Sequence, residues 1–147
     1  MALKQTNLQI AMQRPWLLIK ATHKGMGYAF TAHNTGNSPA VITWRDPFIP
    51  GYDIKTGESL PPTPTYGYGF SEGGELVHAL WVAPGETEEI GIFDSFAAFR
   101  PDARIFVFSA IKYGNTYDDT IHESRFCYRI SEGTIALDGP PGYNDYN

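Results

Sequence analysis

The sequence predicts an all-β protein: an antiparallel β-sandwich with a short N-terminal helix. Three observations carry this expectation. Arg104–Tyr113 and Ile121–Ile130 are β-branched and aromatic runs on either side of the polar, glycine-containing stretch Gly114–Thr120, which is the sequence form of a long β-hairpin. The composition, with 15 Gly, 11 Pro and 14% aromatic residues, suits short strands joined by tight turns. Turn signals recur along the chain and divide it into about seven strands, the number and spacing of a sandwich.

Taken in order, Ala2–Gln13 reads as a short helix. Leu3 and Ile10 are seven apart and Leu8 and Met12 four apart, with polar residues between them. Pro15 ends it, because the residue before a proline is pushed out of helical geometry. A helix this short is marginal alone, so residues 1–13 either dock on the domain or, as the favoured expectation, form the end of a longer helix, which the resemblance described below would make membrane-proximal; residues 14–147 are the sandwich domain. Trp16–His23 and Gly27–Asn34 are the first two strands, joined by Lys24-Gly25-Met26-Gly27, whose glycines allow the positive φ of a tight turn. Asn34–Pro39 is a dense turn signal, and Ala40–Trp44 begins a third strand that Asp46-Pro47 and Pro50-Gly51 break. Residues 51–75 are rich in proline and glycine and read as a long irregular loop. Leu76–Val82 and Glu88–Phe93 are strands around the turn Pro84-Gly85-Glu86, and Ser95–Phe99 is a short helical turn. Both faces of Ile105–Ile111 are apolar, which places that strand at the centre of its sheet. Thr134–Leu137 adds a short edge strand.

At 147 residues the chain is long enough for one domain with a real core. The net charge of -5 and the scattered basic residues argue against a nucleic-acid partner, which needs a clustered basic face. A single cysteine, Cys127, excludes an internal disulfide. No stretch reaches the roughly 20 apolar residues of a membrane helix, and the first residues lack the apolar region of a signal peptide.

Several residue groups invite a chemical reading. Asp118, Asp119, His122 and Glu123, with Asn115 nearby, could offer Ca²⁺ its oxygen ligands, yet the spacing is not that of an EF-hand and also fits a solvated turn. The four histidines, His23, His33, His78 and His122, form no local zinc pair, though pairing of the first two strands could bring His23 and His33 together. Cys127 shares a strand face with Arg125 and Arg129, which would lower a thiol pKa, but no His–Asp partner accompanies it, and it reads as packed core. No Gly-x-Ser-x-Gly elbow and no phosphate-binding glycine loop is present. These readings predict no metal and no cofactor. Tyr52, Tyr66, Tyr68 and Phe70, with Trp81, lie in or beside the long loop; rigid rings on an adaptable glycine-rich backbone suit a recognition surface, or fill a satellite core.

The order of the turn motifs resembles an uncharacterised bacterial membrane-anchored family: one or two N-terminal membrane helices, a short polar helix, then a soluble β-domain. The residues that carry the resemblance are Arg14-Pro15-Trp16, Asn34-x-Gly36-x-x-Pro39-Ala40, Pro84-Gly85-Glu86, Phe126-Cys127 and the ending Gly142-Tyr143-Asn144. The hairpin turn departs from the family pattern, with Asn115 two residues after Tyr113 and no glycine again until Gly133. The resemblance implies an immunoglobulin-like sandwich held near a bacterial membrane by an upstream segment, on its periplasmic or cytoplasmic side, and it implies no catalytic residues.

The functional expectation is therefore a non-enzymatic binding domain whose ligand-binding residues are Tyr52, Tyr66, Tyr68 and Phe70, contacting an unknown protein or small ligand. Two alternatives are a glycan-acting hydrolase using loop carboxylates such as Glu72 and Glu75, and a structural or phage-assembly module whose sandwich edges pair with copies of itself.

Overall fold

The computed structural model describes residues 14–54, 58–64, 75–94, 104–131 and 134–147, without the side chains of 75–78. The helix expected over Ala2–Gln13 and the turn expected over Ser95–Phe99 lie outside the described residues. Among the described residues nine strands are present: β1 (Leu17–Lys24), β2 (Gly27–Asn34), β3 (Ala40–Trp44), β4 (Gly51–Asp53), β5 (Glu75–Val82), β6 (Thr87–Phe93), β7 (Ile105–Gly114), β8 (Ile121–Ser131) and β9 (Thr134–Leu137). A single 3₁₀ turn, Pro141–Tyr143, is the only helical element among the described residues.

The strands form two antiparallel sheets packed face to face. One has the order β1-β2-β6; the other has the order β5-β3-β7-β8-β9, with β4 pairing β7 end-on to β3. Alternation along β1 shows why the layers form. Leu17 and Ile19 point inward, while Leu18 and Lys20 point out. Inward residues of both sheets, among them Phe30, Ile42, Ile90, Val107, Ile111 and Phe126, make the central core. Phe30 lies against Phe126 of the opposite sheet, with ring centroids 5.2 Å apart.

β7 is central, as its two apolar faces require. Its inner residues join that core, and its outer Phe106 and Phe108 are covered by a second cluster containing Leu60, Cys127 and Tyr143. The loop near residue 60 and the C-terminal segment supply this cover, so β7 is buried on both faces from Ile105 to Ile111.

β4 was not expected, because Pro50-Gly51 reads as a break. It pairs with Ile105–Val107 of β7, and Gly51 sits where a side chain would press on Phe93 and Ile105. In the first hairpin only Gly25 has positive φ, at 59°. Gly27 serves a different need: a Cβ there would collide with the Phe93 carbonyl, so glycine lets β2 lie close to the end of β6.

Candidate functional site

Three of the motifs behind the family resemblance meet at one end of the sandwich on Asn34, two at its side chain and Pro84-Gly85-Glu86 at its backbone. Asn34 is fully buried. Its Oδ1 accepts from the backbone N–H of Trp16 at 3.3 Å and of Gly36 at 2.9 Å. Its Nδ2 donates to the carbonyls of Ser38 at 2.8 Å and Val82 at 2.9 Å. Its own backbone bonds Glu86 and Gly85, at 3.0 and 2.8 Å. Arg14-Pro15-Trp16, Asn34–Ala40 and Pro84-Gly85-Glu86 are thus one structural joint. Gly36 packs so closely on Arg14, Pro15 and Trp16 that any Cβ would strike their backbone.

The remaining motifs meet on β8. The Cys127 N–H donates to Asn144 Oδ1 at 2.9 Å, and Asn144 Nδ2 donates to the Asp138 carbonyl at 2.8 Å. Asp138 in turn donates its N–H to the Cys127 carbonyl at 3.1 Å. Tyr143 packs edge-on against Phe108, with centroids 4.9 Å apart. Here too the motif residues hold chain segments together.

Cys127 is the packed cysteine the sequence suggests. It is fully buried, and burial, with the Asp138 charge nearby, pushes its thiol up to about 12. The neighbouring cations are turned to other partners: Arg125 bonds Glu123 at 2.7 Å and Arg129 lies 3.3 Å from Asp138. Tyr128 is likewise pushed up to about 12, chiefly by burial. Both groups therefore hold their protons more tightly in the folded chain than in the unfolded one. Their contribution is complete below pH 9, where the unfolded thiol (ordinary value 9.0) is still protonated, and is lost as pH rises from 9.0 towards about 12. Melting temperatures followed by circular dichroism are expected to hold up to about pH 9 and fall steadily above it, with a smaller fall for Cys127→Ala. A curve flat to pH 11, or an unaltered slope in the variant, would contradict this.

The hairpin of β7 and β8 ends in a self-contained turn. Asn115 Oδ1 accepts from the N–H groups of Tyr117 and Asp118, at 3.1 and 2.9 Å, while Asn115 Nδ2 donates to Asp118 Oδ1 at 2.9 Å. Asp118 also accepts from Thr120 N–H at 2.8 Å, and these bonds hold its carboxyl below the usual range. The carboxylate thus closes the turn, as local Asp hydrogen bonding does elsewhere. His122 is buried, and burial, followed by the charge of Arg14, lowers its pKa.

The first hairpin does not bring His23 and His33 together. His23 pairs with Tyr28, while His33 lies opposite Leu18 and bonds Thr87 Oγ1 at 2.8 Å. Among the described residues no three His, Cys, Asp or Glu side chains cluster as metal ligands would.

Of the expected binding residues, Tyr52 is half-buried on β4, and its ring stacks on Phe108 with centroids 4.9 Å apart. That is the satellite-core placement. Tyr66, Tyr68 and Phe70 lie outside the described residues, as does Glu72; Glu75 begins β5.

Exposed apolar side chains gather elsewhere. Trp81 pairs with Val41, Val41 with Gly114, and Gly114 with Ile121, so one row crosses four strands on the outer face of the large sheet. Trp81 is 60% exposed and Ile121 58% exposed, and Tyr117, 44% exposed, stands on the adjoining turn. Ile121 lies over the bare Gly114. Sequence reasoning grouped Trp81 with the loop aromatics and missed Ile121 and Tyr117. The signal was strand phase: Phe126 and Ile130 face inward, so Ile121 faces out.

No helix among the described residues is long and apolar enough to cross a membrane. Comparison with protein-family models, with curated proteins and with solved structures finds no match.

Proposed function

We propose that this chain is a non-enzymatic interaction domain, held at a bacterial membrane by an upstream segment, that contacts a partner through one end of an immunoglobulin-like sandwich. The observation that carries the reading is the exposed apolar row Trp81–Val41–Ile121 with Tyr117 beside it. Apolar and aromatic groups grouped on a surface, rather than scattered singly, mark interaction sites. The chain enters this same end of the sandwich: Arg14 donates to the main-chain oxygen of Asn147 at 2.6 Å, and Asn147 N–H donates to Glu123 near the start of β8. A tether upstream of Arg14 would therefore hold Tyr117 and Ile121 towards the membrane side.

The strand order favours the immunoglobulin-like assignment. β1, β2 and β6 take the places of strands A, B and E, and β3, β7 and β8 those of C, F and G. The family motifs add support of another kind, since their residues are occupied in joining segments and leave the loops and outer face to vary. Tyr66, Tyr68 and Phe70 would extend the contact area.

Photo-crosslinking tests the reading in the full-length protein within its native cells. A photoreactive phenylalanine at position 117 or 121 is expected to give a recurrent adduct in the membrane fraction, and the same group at exposed Lys20 is not. Equal adducts from all three positions, or none from 117 and 121, would overturn the proposal.

A further inference from the structure

We propose that His122 controls an acid-sensitive strap: when its imidazole takes a proton, the C-terminal residues Asp145–Asn147 leave the edge of β8. The inference goes beyond the interaction reading above and does not depend on it.

The strap closes one side of the sandwich. Asp145 accepts from the Arg125 N–H at 2.8 Å, Tyr146 pairs antiparallel with Ser124, and Asn147 donates its N–H to the Glu123 carbonyl at 3.1 Å. These three residues thus lie as a short extra strand along β8. Tyr146 also reaches the other sheet. Its Oη accepts from the Ile19 N–H of β1 at 3.4 Å, and its ring packs against the central core. β1 and β8 are also joined here by Ser124 Oγ and Tyr128 Oη, which donate to the carbonyls of Leu17 and Ile19 at 2.9 and 3.1 Å.

The far end of the strap lies between Arg14 and His122. Arg14 donates to the main-chain oxygen of Asn147 at 2.6 Å, and its guanidinium stands 3.5 Å from the centre of the Trp16 ring. His122 adjoins this contact. It is only 7% exposed, with its ring 5.4 Å from that of Tyr113. Among the described residues, the titratable and charged groups that face it are Arg14 from the entering segment, Asp118 from the hairpin turn and the Tyr113 phenol from β7; the strap offers the main chain of Asn147. Glu123 and Lys112, the next pair along β8 and β7, project from the opposite face.

Charge makes this arrangement sensitive to protonation. A neutral imidazole fits beside the Arg14 guanidinium, whereas an imidazolium sets a second positive charge there, out of water. Asp118 opposes this weakly, because its carboxylate is exposed and already accepts from Thr120 N–H and Asn115 Nδ2. Burial, and after it the Arg14 charge, therefore hold His122 below its ordinary 6.5, against the upward pull of the Asn147 main chain and Asp118. Opening the strap lets water reach the ring and returns it towards that value. The closed state thus binds fewer protons than the open one, and acid favours opening. The strap holds fully above about pH 6.5 and loosens as the pH falls below it. Of the histidines whose side chains are described, only His122 is buried. Opening bares the backbone of Glu123–Arg125 beside the exposed Ile121.

Amide hydrogen exchange of the whole chain, followed by NMR from about pH 7.5 to about pH 4.5 and corrected for intrinsic rates, tests this. Protection of the Arg125 and Asn147 amides is expected to fall at least about threefold across that range, while Ser109 in β7 stays protected. The His122 ring is expected to titrate below 6.5, and to titrate higher in Arg14→Gln. In His122→Gln, which stays uncharged throughout, the fall is expected to vanish. Wild-type protection that ignores pH, the same fall in His122→Gln, or a ring that titrates at 6.5 or above would overturn the proposal. So would loss of protection at Ser109 together with Arg125, which would mean acid unfolding of the whole sandwich. If His122→Gln does not fold, Arg14→Gln decides: a His122 midpoint that does not rise sinks the idea. All of these are read without a partner, so the crosslinking at 117 and 121 fails or stands separately.

Discussion

Asn34→Ala is expected to lower stability by about 3 kcal/mol or more, a fall of roughly ten degrees in melting temperature for a chain of this size. The magnitude follows from what the amide does. Its four hydrogen bonds satisfy two part-buried N–H groups and two buried carbonyls, drawn from the start of β1, the turn after β2 and the end of β5. Alanine leaves all four without that partner in a site that is closed to water, and an orphaned buried polar group costs more than a bond to water gains. The amide orientation is fixed by the same contacts, because oxygen must face the two donors and nitrogen the two carbonyls. Asn34→Asp is therefore at least as damaging: it keeps the acceptor but turns a second oxygen towards the carbonyls of Ser38 and Val82. Thermal unfolding of the three proteins checks the point. A loss under about 1 kcal/mol for either variant would mean that the joint relaxes or admits water.

Tyr143→Ala is expected to cost about 3 to 5 kcal/mol locally and to release the C-terminal segment before the sandwich melts. Tyr143 is buried against Phe108 and beside Cys127, and it anchors a segment whose other ties to β8 include hydrogen bonds involving Asp138, Asn144, Asp145 and Asn147 and the Arg129–Asp138 ion pair. Removing the ring opens a cavity on the outer face of β7, at the place where that segment is the cover. The readout is chemical. Cys127 is fully buried and should resist a thiol reagent in the wild type, and it should react in Tyr143→Ala under conditions where far-ultraviolet circular dichroism stays native. Global unfolding with no window of selective reactivity would show that the segment and sandwich form one cooperative unit.

Particular residues show how far the sequence could be read. The unbroken apolar run of β7 placed it at the centre, because burial on each face follows from side-chain period alone. The two hairpins were legible for the same reason, with polar or glycine-rich turns between strand-forming runs. β4 was not: two of its three residues, Gly51 and Asp53, are poor strand formers beside Pro50, and the segment pairs because Phe106 and Val107 offer a free edge. Tyr52 carried both readings of an aromatic near a loop until Phe108 was found under its ring. Cys127 could be read as core, but its partners across chain distance could not.

The sequence alone settled the class of structure, since strand, turn and apolar period are local properties of neighbouring residues. Tertiary structure decided what the motifs are for. Asn34 looks like a turn residue beside its neighbours, and only folding sets Trp16 and Val82 within reach of its amide. The exposed row Trp81–Val41–Ile121 likewise joins residues from three strands, and the strand β7 contributes only a bare glycine between them. Which apolar residues stay in contact with water depends on strand register and sheet order. Both are set by packing between distant segments, which no local pattern encodes.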